Sequence, residues 1–452
     1  MRLRACARYF SRLNRKKRCY LCILTERNNT IATCPFRRAW YNRITGKVCR
    51  SYDVQRHEDR FIKYNYKEFW WYLDMVRSGE GVNNTSVRAE NRRRVAYLLY
   101  QRGALSKQAI ARELGLSIPT VNLLVSQLKE EGLLTLQSGA STGGRIPEIA
   151  HFRYDSQYVF GLEVTDHHLR IVLIDLAGTP LFHAYHDLPF RKEQSYWIEA
   201  RSLLYSIMKQ RNLTPANILG VGVAIPGVVR WDLHQVDFAP TLDLRYFDYR
   251  AVEDIFVLPV IIENEANAAG FAESWLQSRD QADGIYLSIN KGVGGAVIVD
   301  HALSYGINRR SGEFGHMTLV PGGRRCSCGK EGCFEAYCST RVLADLTGGD
   351  LAAFFRRKRE EAHLQQVWET YLRYLAQAVS NICVALDVPV VIGGDIALYL
   401  GNDFQHFIDM VEAMIPFSSH PYVSLSSAGA DAACVGAALL LVARRLQLLP
   451  GV

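Results

Sequence analysis

The chain has 452 residues, enough for two or three domains with sizeable cores. Hydrophobic content of 48% and charged content of 22% exclude a disordered or fibrous chain. The longest apolar run, Ala432 to Ala443, is too short to span a bilayer. No hydrophobic signal segment follows the basic start, so a cytoplasmic protein without a membrane partner is expected. The net charge of +8 is unevenly placed, since residues 1–80 carry 19 Lys and Arg against 7 Asp and Glu. That stretch therefore contributes +12 and the remainder −4.

Residues 1–84 read as a basic extension, unfolded or preceding the true start. Cys6, Cys19, Cys22, Cys34 and Cys49 are scattered through it among tryptophans and tyrosines, with no helical or strand period. Cys19 and Cys22 form a lone C-x-x-C without a second pair at zinc-finger spacing. A basic arm could bind nucleic acid. The preferred expectation is that most of 1–74 is not a folded domain and that Met75 is the working start.

From residue 85 to 152 the pattern is that of a winged helix-turn-helix. Val95, Leu98 and Leu99 recur at helical spacing before Gly103. Ser106 opens a second helix with Ile110 and Leu114 on one face and Gly115 at the turn. Ser117 caps a third, with Pro119 in its first turn and Val121, Leu124, Val125 and Leu128 as its core stripe. After Gly132, two short strands around a Ser/Gly/Thr tip make the wing. Opposite the core stripe lie Pro119, Leu123 and Ser126, with Thr120 and Gln127 at the edge. An apolar Leu123 on that face suits thymine methyl groups, with Thr120 and Gln127 bonding base edges. Packing against the wing is the alternative. Arg145, after Gly143 and Gly144, is expected at phosphate or in the minor groove.

Residues 155–446 alternate strands and helices in two similar runs, which predicts an α/β domain of two lobes with a cleft between them. Strands are expected at Tyr158–Val164, Leu169–Asp175 and Leu181–His186, then a helix, then the buried strand LGVGVAIPGVV. PVIIEN followed by EANAAGFAESWLQ reads as strand then helix. Tyr286 to Ile298 reads as a glycine-interrupted hairpin.

The stretch from Gly312 to Glu335, GEFGHMTLVPGGRRCSCGKEGCFE, brings His316, Cys326, Cys328 and Cys333 within eighteen positions. These match a tetrahedral Cys3His structural zinc set, with glycines to let one ion collect all four. Core cysteines or a disulfide pair would be the plainer explanation, but the loop has no core-like periodicity. Glu313 and Glu335 flank the quartet. Fixed carboxylates suit a polyhydroxylated ligand, although taken alone they could equally be solvated surface acids.

This composite motif, GE-x-GH followed by C-x-C-G-x-x-G-C-x-E, resembles the signature of the ROK family of repressors and sugar kinases. The resemblance covers about 155–446 and implies the actin-like, ribonuclease-H-like ATPase fold, with zinc on the quartet. It also implies a sugar site at Asn264, Glu265, Glu313, His316 and Glu335. The Gly-Gly-Arg and Pro of the wing are likewise similar to the N-terminal module of ROK repressors.

The kinase half of the family needs a glycine-rich phosphate turn after the first strand, for which it uses Asp-x-Gly-x-Thr. This chain has Glu163-Val164-Thr165-Asp166-His167 instead, without the glycine and with an added acid. The family's catalytic base is an Asp after Asn; here Asn264 is followed by Glu265, whose extra methylene displaces the carboxylate by about an ångström. Gly292, Gly294 and Gly295 could form a second phosphate-like turn or a tight hairpin. Pro240-Thr241 replaces a frequent Pro-Asn, which leaves the sugar open. The expectation is thus a sugar-responsive repressor, with no catalytic residue and no ATP requirement. Its partners would be operator DNA, a monosaccharide effector and a second copy of itself. The NEANAA wording is most similar to the xylose repressor branch. The alternative is an active ROK sugar kinase that carries a DNA-binding domain.

Overall fold

The computed structural model describes residues 84–139, 147–276, 283–415 and 423–446. The expected basic extension, apart from Asn84, and Arg145 lie outside them. The N-terminal part comprises α1 (Asn84–Arg102), β1 (Ala104–Ser106), α2 (Lys107–Leu114), α3 (Ile118–Glu130), β2 (Leu134–Ser138) and β3 (Glu148–Phe152). Ser106 caps α2 by accepting from the Ala109 N–H, and Gly115 ends it at φ +65°, a conformation that favours glycine. Ser117 accepts from the Thr120 N–H to cap α3, and Val121, Leu124, Val125 and Leu128 are buried. The wing sheet has three strands rather than two, in the order β1-β3-β2, all antiparallel. At three residues, β1 is too short to show a period of two in the sequence.

The meander β4 (Tyr158–Val164), β5 (Leu169–Asp175) and β6 (Pro180–His186) comes next, and α4 (Gln194–Gln210) crosses to β7 (Ile218–Ile225). A small sheet of β8 (Val228–Arg230), β9 (Gln235–Ala239) and β10 (Leu244–Asp248) leads through α5 (Arg250–Phe256) to β11 (Val260–Asn264) and α6 (Glu265–Leu276). The second half repeats the plan. β12 (Gly284–Ile289), β13 (Val293–Val299) and β14 (Ala302–Leu303) form its meander, and the cysteine-rich loop leads to α7 (Glu335–Cys338), α8 (Arg341–Ala344) and α9 (Leu351–Arg357). Then come α10 (Ala362–Leu386), β15 (Val390–Gly393), α11 (Ala397–Leu400), α12 (Phe404–Met414), β16 (Val423–Leu425) and α13 (Ala432–Arg445).

The two five-stranded sheets have the orders β11-β7-β4-β5-β6 and β14-β13-β12-β15-β16. In each, the first strand is central, its meander runs antiparallel to one side, and two parallel strands lie on the other. Every residue of β7 is buried, as expected of a strand covered on both faces.

The last helix, α13, returns to the first sheet and is seated on it through glycines. A Cβ at Gly161 would lie 2.1 Å from the Cys434 carbonyl oxygen, and one at Gly222 would lie 2.2 Å from that of Ala437. α6 approaches α13 as closely, since a Cβ at Gly436 would stand 1.7 Å from the Ala268 oxygen. Side chains as small as Ala224, Ala268, Ala269 and Ala437 form this seam, and the close approach requires them. One hydrophobic cluster runs from Leu99 and Leu124 in the N-terminal helices through Val159 and Val172 to Leu439 on α13. The winged helix therefore shares its core with the first lobe. No helix among the described residues is long and apolar enough to cross a membrane.

Candidate effector site and nucleic-acid interface

The loop after β14 folds back on itself so that His316, Cys326, Cys328 and Cys333 offer ligand atoms all within 4.8 Å of one another. The Cys326 N–H donates to the Lys330 carbonyl and that of Gly329 to the Cys326 carbonyl, which closes a tight turn around Cys328. Gly329 and Gly332 take φ of +89° and +81°, and a Cβ at Gly332 would lie 1.8 Å from the Val320 oxygen. Cys326 Sγ stands 3.8 Å from His316 Nδ1, and Cys328 Sγ stands 3.7 Å from Cys333 Sγ. Tetrahedral coordination with bonds of about 2.0–2.3 Å spaces its ligands by roughly 3.3–3.8 Å, so the quartet can hold a metal ion. Burial and the neighbouring thiols push the Cys333 thiol up to about 12. A cation among these sulfurs would reverse that by stabilising the thiolates.

The same imidazole serves two sides. Its Nδ1 faces the thiols, whereas its Nε2 lies 3.8 Å from Glu313 Oε2. Glu335 is held more tightly: Oε2 accepts from the Val293 N–H at 3.0 Å and Oε1 from the Ser327 hydroxyl at 2.8 Å. The loop rests on β13, where a Cβ at Gly315 would lie 2.1 Å from the Val293 oxygen and one at Gly312 would lie 2.2 Å from that of Gly295.

Asn264 and Glu265 stand at the start of α6, in the first lobe. Asn264 Oδ1 accepts from the Ala266 and Asn267 N–H groups, capping α6, while its Nδ2 donates to the Gly227 carbonyl. Glu265 opens α6; burial first, then Glu163, Asp395 and Asp166, push its carboxyl up to about 8. A Cβ at Gly294 would touch Ala266, and one at Gly295 would meet Phe314. Successive residues of a strand face opposite ways, so α6 and the cysteine loop flank the start of β13. Glu313, His316 and Glu335 are thus held together by the cysteine loop, and Asn264 and Glu265 stand together at the start of α6, the helix that packs on the same strand through Ala266.

Glu263 was missed by sequence reasoning. It is 2% exposed and accepts from the Asn264 N–H, Asn267 Nδ2 and the Tyr305 hydroxyl at 2.9, 3.2 and 2.8 Å. A single acid inside the apolar run PVIIEN was the available signal, because a buried charge needs partners.

On the side where the family's kinases place phosphate, the turn after β4 is closed by Thr165 Oγ1, which accepts from the His167 and His168 N–H groups. Arg170 Nη1 lies 2.6 Å from Glu163 Oε2 and 2.5 Å from the Ala430 carbonyl. Burial raises the pKa of Glu163, and Arg170 opposes that rise. Of the glycine trio, only Gly292 lies in a turn. Gly294 and Gly295 pair with Ser288 and Leu287 inside the β12–β13 hairpin, as the tight-hairpin reading of the trio expects.

On α3, Pro119, Leu123 and Ser126 are exposed, Leu123 by 47%. Ser117 and Thr120 are joined hydroxyl to hydroxyl at 2.8 Å, so Thr120 is held by the cap. Gln127 lines a shallow hollow with Arg92, Glu130 and Glu131, on the flank of α3 beside two carboxylates. Asn122 and Ile118 are exposed alongside Leu123 and were not singled out. The 100° spacing already placed Asn122 on that face.

Comparison with known proteins agrees with these features. The profile for winged helix-turn-helix DNA-binding domains matches residues 88–135, and that of the ROK family matches residues 159–444. The xylose repressor of Bacillus subtilis (strain 168) is 30% identical over 264 residues, spanning 58% of this chain and 68% of that protein. The N-acetylglucosamine repressor of Escherichia coli O157:H7 is 27% identical over 270 residues, 57% of this chain and 64% of that protein. Among solved structures, a ROK family transcriptional regulator homologous to the E. coli MLC protein superposes with a TM-score of 0.68. It is 20% identical and covers 80% of this chain and 98% of that one. The ROK hexokinase of Thermus thermophilus gives 0.54 at 24% identity, over 63% of this chain and 97% of its own. These two likenesses show the fold. The family profile spans well over half of the sequence, and the chain belongs to the ROK family.

Proposed function

We propose that this protein is a sugar-responsive transcriptional repressor. It would read operator DNA with α3 and sense a monosaccharide between α6 and the cysteine loop. The observation that carries this reading is the union of a winged helix with an exposed recognition face and a ROK domain in one continuous core. The names of the relatives support it, and they put xylose and N-acetylglucosamine first among candidate effectors. Asn264, Glu265, Glu313, His316 and Glu335 are the residues assigned to the sugar. Glu313 would accept hydrogen bonds from sugar hydroxyls, Glu265 would offer a protonated carboxyl that both donates and accepts, and His316 would bond through Nε2.

Zinc is the metal assigned to His316, Cys326, Cys328 and Cys333. Bound there, it would tie the four side chains together and fix the loop. What the chain's own residues add is orientation, since Glu335 anchors the loop to Val293 and His316 turns its free nitrogen toward Glu313. On α3, Leu123 is assigned to thymine methyl contact and Asn122 joins it as a base-edge reader, with Ser117, Pro119, Thr120 and Gln127 about them, and Arg145 is assigned to phosphate or the minor groove. A homodimer on a two-fold operator is expected, because one short helix reads too few base pairs.

The fold likeness to the Thermus hexokinase favours a second reading, a sugar kinase. Three features weigh against it: Glu265 in place of Asp, the turn at Thr165 without glycine, and the Glu163–Arg170 pair beside it. Operator footprinting with and without xylose, glucose or N-acetylglucosamine tests the first reading. Sugar-dependent ATP turnover tests the second. Leu123→Ala is expected to weaken operator binding about tenfold, given the roughly 1–3 kcal/mol of a good base contact. Unchanged affinity in that variant would remove α3 from the interface.

A further inference from the structure

We infer that α6 is the element that couples the effector site to the reading head, and that the contact of Trp275 with Tyr100 is its output. The inference rests on the sugar-responsive reading and names the route within it. α6 begins at Asn264 and Glu265, two of the residues assigned to the sugar, and its twelve residues span about 18 Å. At its far end, the Trp275 ring meets Tyr100 of α1 edge-on, with centroids 5.6 Å apart, and Phe271 lies 5.4 Å from Trp275. A single helix therefore touches the effector site at one end and the winged helix at the other.

The helix cannot bend its way out of that linkage. Ala266, Ala268, Ala269, Gly270, Phe271 and Ala272 are all buried. Any Cβ added at Gly270 would stand 2.5 Å from Ala296 of β13. Packing this close moves as a body rather than by local deformation.

The second lobe also grips α6, near its output end. Glu273, 3% exposed, accepts from the Ser426 hydroxyl at 2.6 Å and from the hydroxyl and N–H of Ser427 and the N–H of Ala428 at 3.0–3.2 Å. These residues follow β16, so a displacement of the second lobe is passed to the turn of α6 that carries Trp275. Tyr100 in turn is fixed to its own domain. It stacks edge-on with Phe152 and Tyr154, and its carbonyl accepts from the Tyr154 hydroxyl. A tilt of α6 would thus turn α1 and the wing strand β3 together, and with them the aim of α3.

Tyr100 also bonds the first lobe directly. Its hydroxyl donates to the Leu176 carbonyl at 2.7 Å, in the turn after β5. Two mutations weigh the ring contact against the hydroxyl. Trp275→Ala removes the α6 contact altogether, whereas Tyr100→Phe removes the hydroxyl, with its bonds to Leu176 and to Trp275, and keeps the ring against α6.

The experiment measures operator affinity of the full chain with and without saturating xylose, glucose or N-acetylglucosamine, and expresses coupling as the ratio. A wild-type ratio of at least about fivefold is expected for one of these sugars, in the usual range of allosteric coupling. A ratio of one for all three would overturn the sensing reading and this inference with it. With coupling present, Trp275→Ala should keep sugar-free operator affinity and sugar affinity within about threefold while its ratio falls toward one. Tyr100→Phe should keep the wild-type ratio. A full ratio in Trp275→Ala, or its loss in Tyr100→Phe alone, would overturn the α6 route and leave the sensing reading intact. Circular dichroism checks folding. If Trp275→Ala does not fold, Trp275→Leu retains most of the apolar burial and is judged by the same ratio.

Discussion

The two lobes share one strand order but finish the turn after their first strand in opposite ways. In the first lobe the turn after β4 is closed by Thr165 and flanked by charge. Glu163 and Arg170 pair beside it, and Asp166, Asp395 and Asp431 gather around them. In the second lobe the turn after β12 is stitched by one asparagine and one carboxylate. Asn290 donates its N–H to Gly292, accepts at Oδ1 from the Asp395 N–H and takes the Thr340 N–H on its carbonyl. Glu335 then fixes Val293, the first residue of β13. One scaffold, used twice, has an acidic ion-paired turn in one copy and a rigid seat for the cysteine loop in the other. Function on such a scaffold is set by what the turns carry, since the sheets are interchangeable in plan.

The largest test of this contrast falls on the second lobe. If the cysteine loop owes its shape to a metal, Cys328→Ser should lower zinc from about one equivalent per chain to background. Proteolysis should then quicken in the loop between Gly312 and Glu335, while the first lobe keeps its protection. Full metal retention would mean that the quartet is not the ligand set. The next largest effect lies at the seam between lobes. Gly436→Ala sets a methyl 1.7 Å from the Ala268 carbonyl oxygen, where neither helix has room to yield. A loss of about 3 kcal/mol in urea unfolding is expected. A loss below about 0.5 kcal/mol would show that the seam is looser than its small residues imply.

The charge of the first lobe predicts a pH effect. Glu265 titrates near 8 in the folded protein against an ordinary 4.5. Between those values the folded chain holds a proton that the unfolded chain has lost. This contribution to stability is therefore full below about pH 4.5 and declines as the pH rises toward 8. After allowance for the partial exposure of the carboxyl, about 1–2 kcal/mol is at stake. Glu265→Gln cannot lose that proton, so the difference in urea stability between pH 5 and pH 8 should shrink by this amount. An unchanged difference would place the cost of burial on another group.

Much of this architecture could be read from residues alone, and what could not has definite causes. The three helices of the reading head announce themselves because Gly103, Gly115 and Gly132 all take positive φ where the helices end. The metal quartet is readable because its ligands lie close in sequence. The small sheet β8–β10 was missed because its turns use His234 and Asp243 at positive φ, where glycine or asparagine would have signalled a break. Asn264 looked like a free ligand, but capping α6 occupies its carbonyl oxygen, a role only the structure discloses. The meeting of Trp275 with Tyr100 joins residues 175 positions apart, a separation no local pattern encodes.

The smallest expected effect is a null one, and it bears directly on the contrast between the lobes. Glu265→Asp restores the carboxylate length that the family's kinases use. If that methylene were the whole obstacle, sugar-dependent ATP turnover should appear. The geometry of the first lobe argues that it will not. A nucleoside triphosphate approaching the turn after β4 would meet Asp166 and Asp395. Arg170 is already committed to Glu163 and the Ala430 carbonyl, and Lys291, 4.0 Å from Asp166, is an exposed cation beside them. Like charges at about 4 Å repel by roughly 4 kcal/mol at an effective dielectric constant of 20, more than the roughly 2.7 kcal/mol that a hundredfold gain from a realigned base would return. Turnover in Glu265→Asp should therefore stay at the background of the wild type, by coupled assay with xylose, glucose and N-acetylglucosamine. A sugar-dependent rate above that background would mean that the ion-paired turn still admits phosphate, and the two lobes would differ by less than their turns suggest.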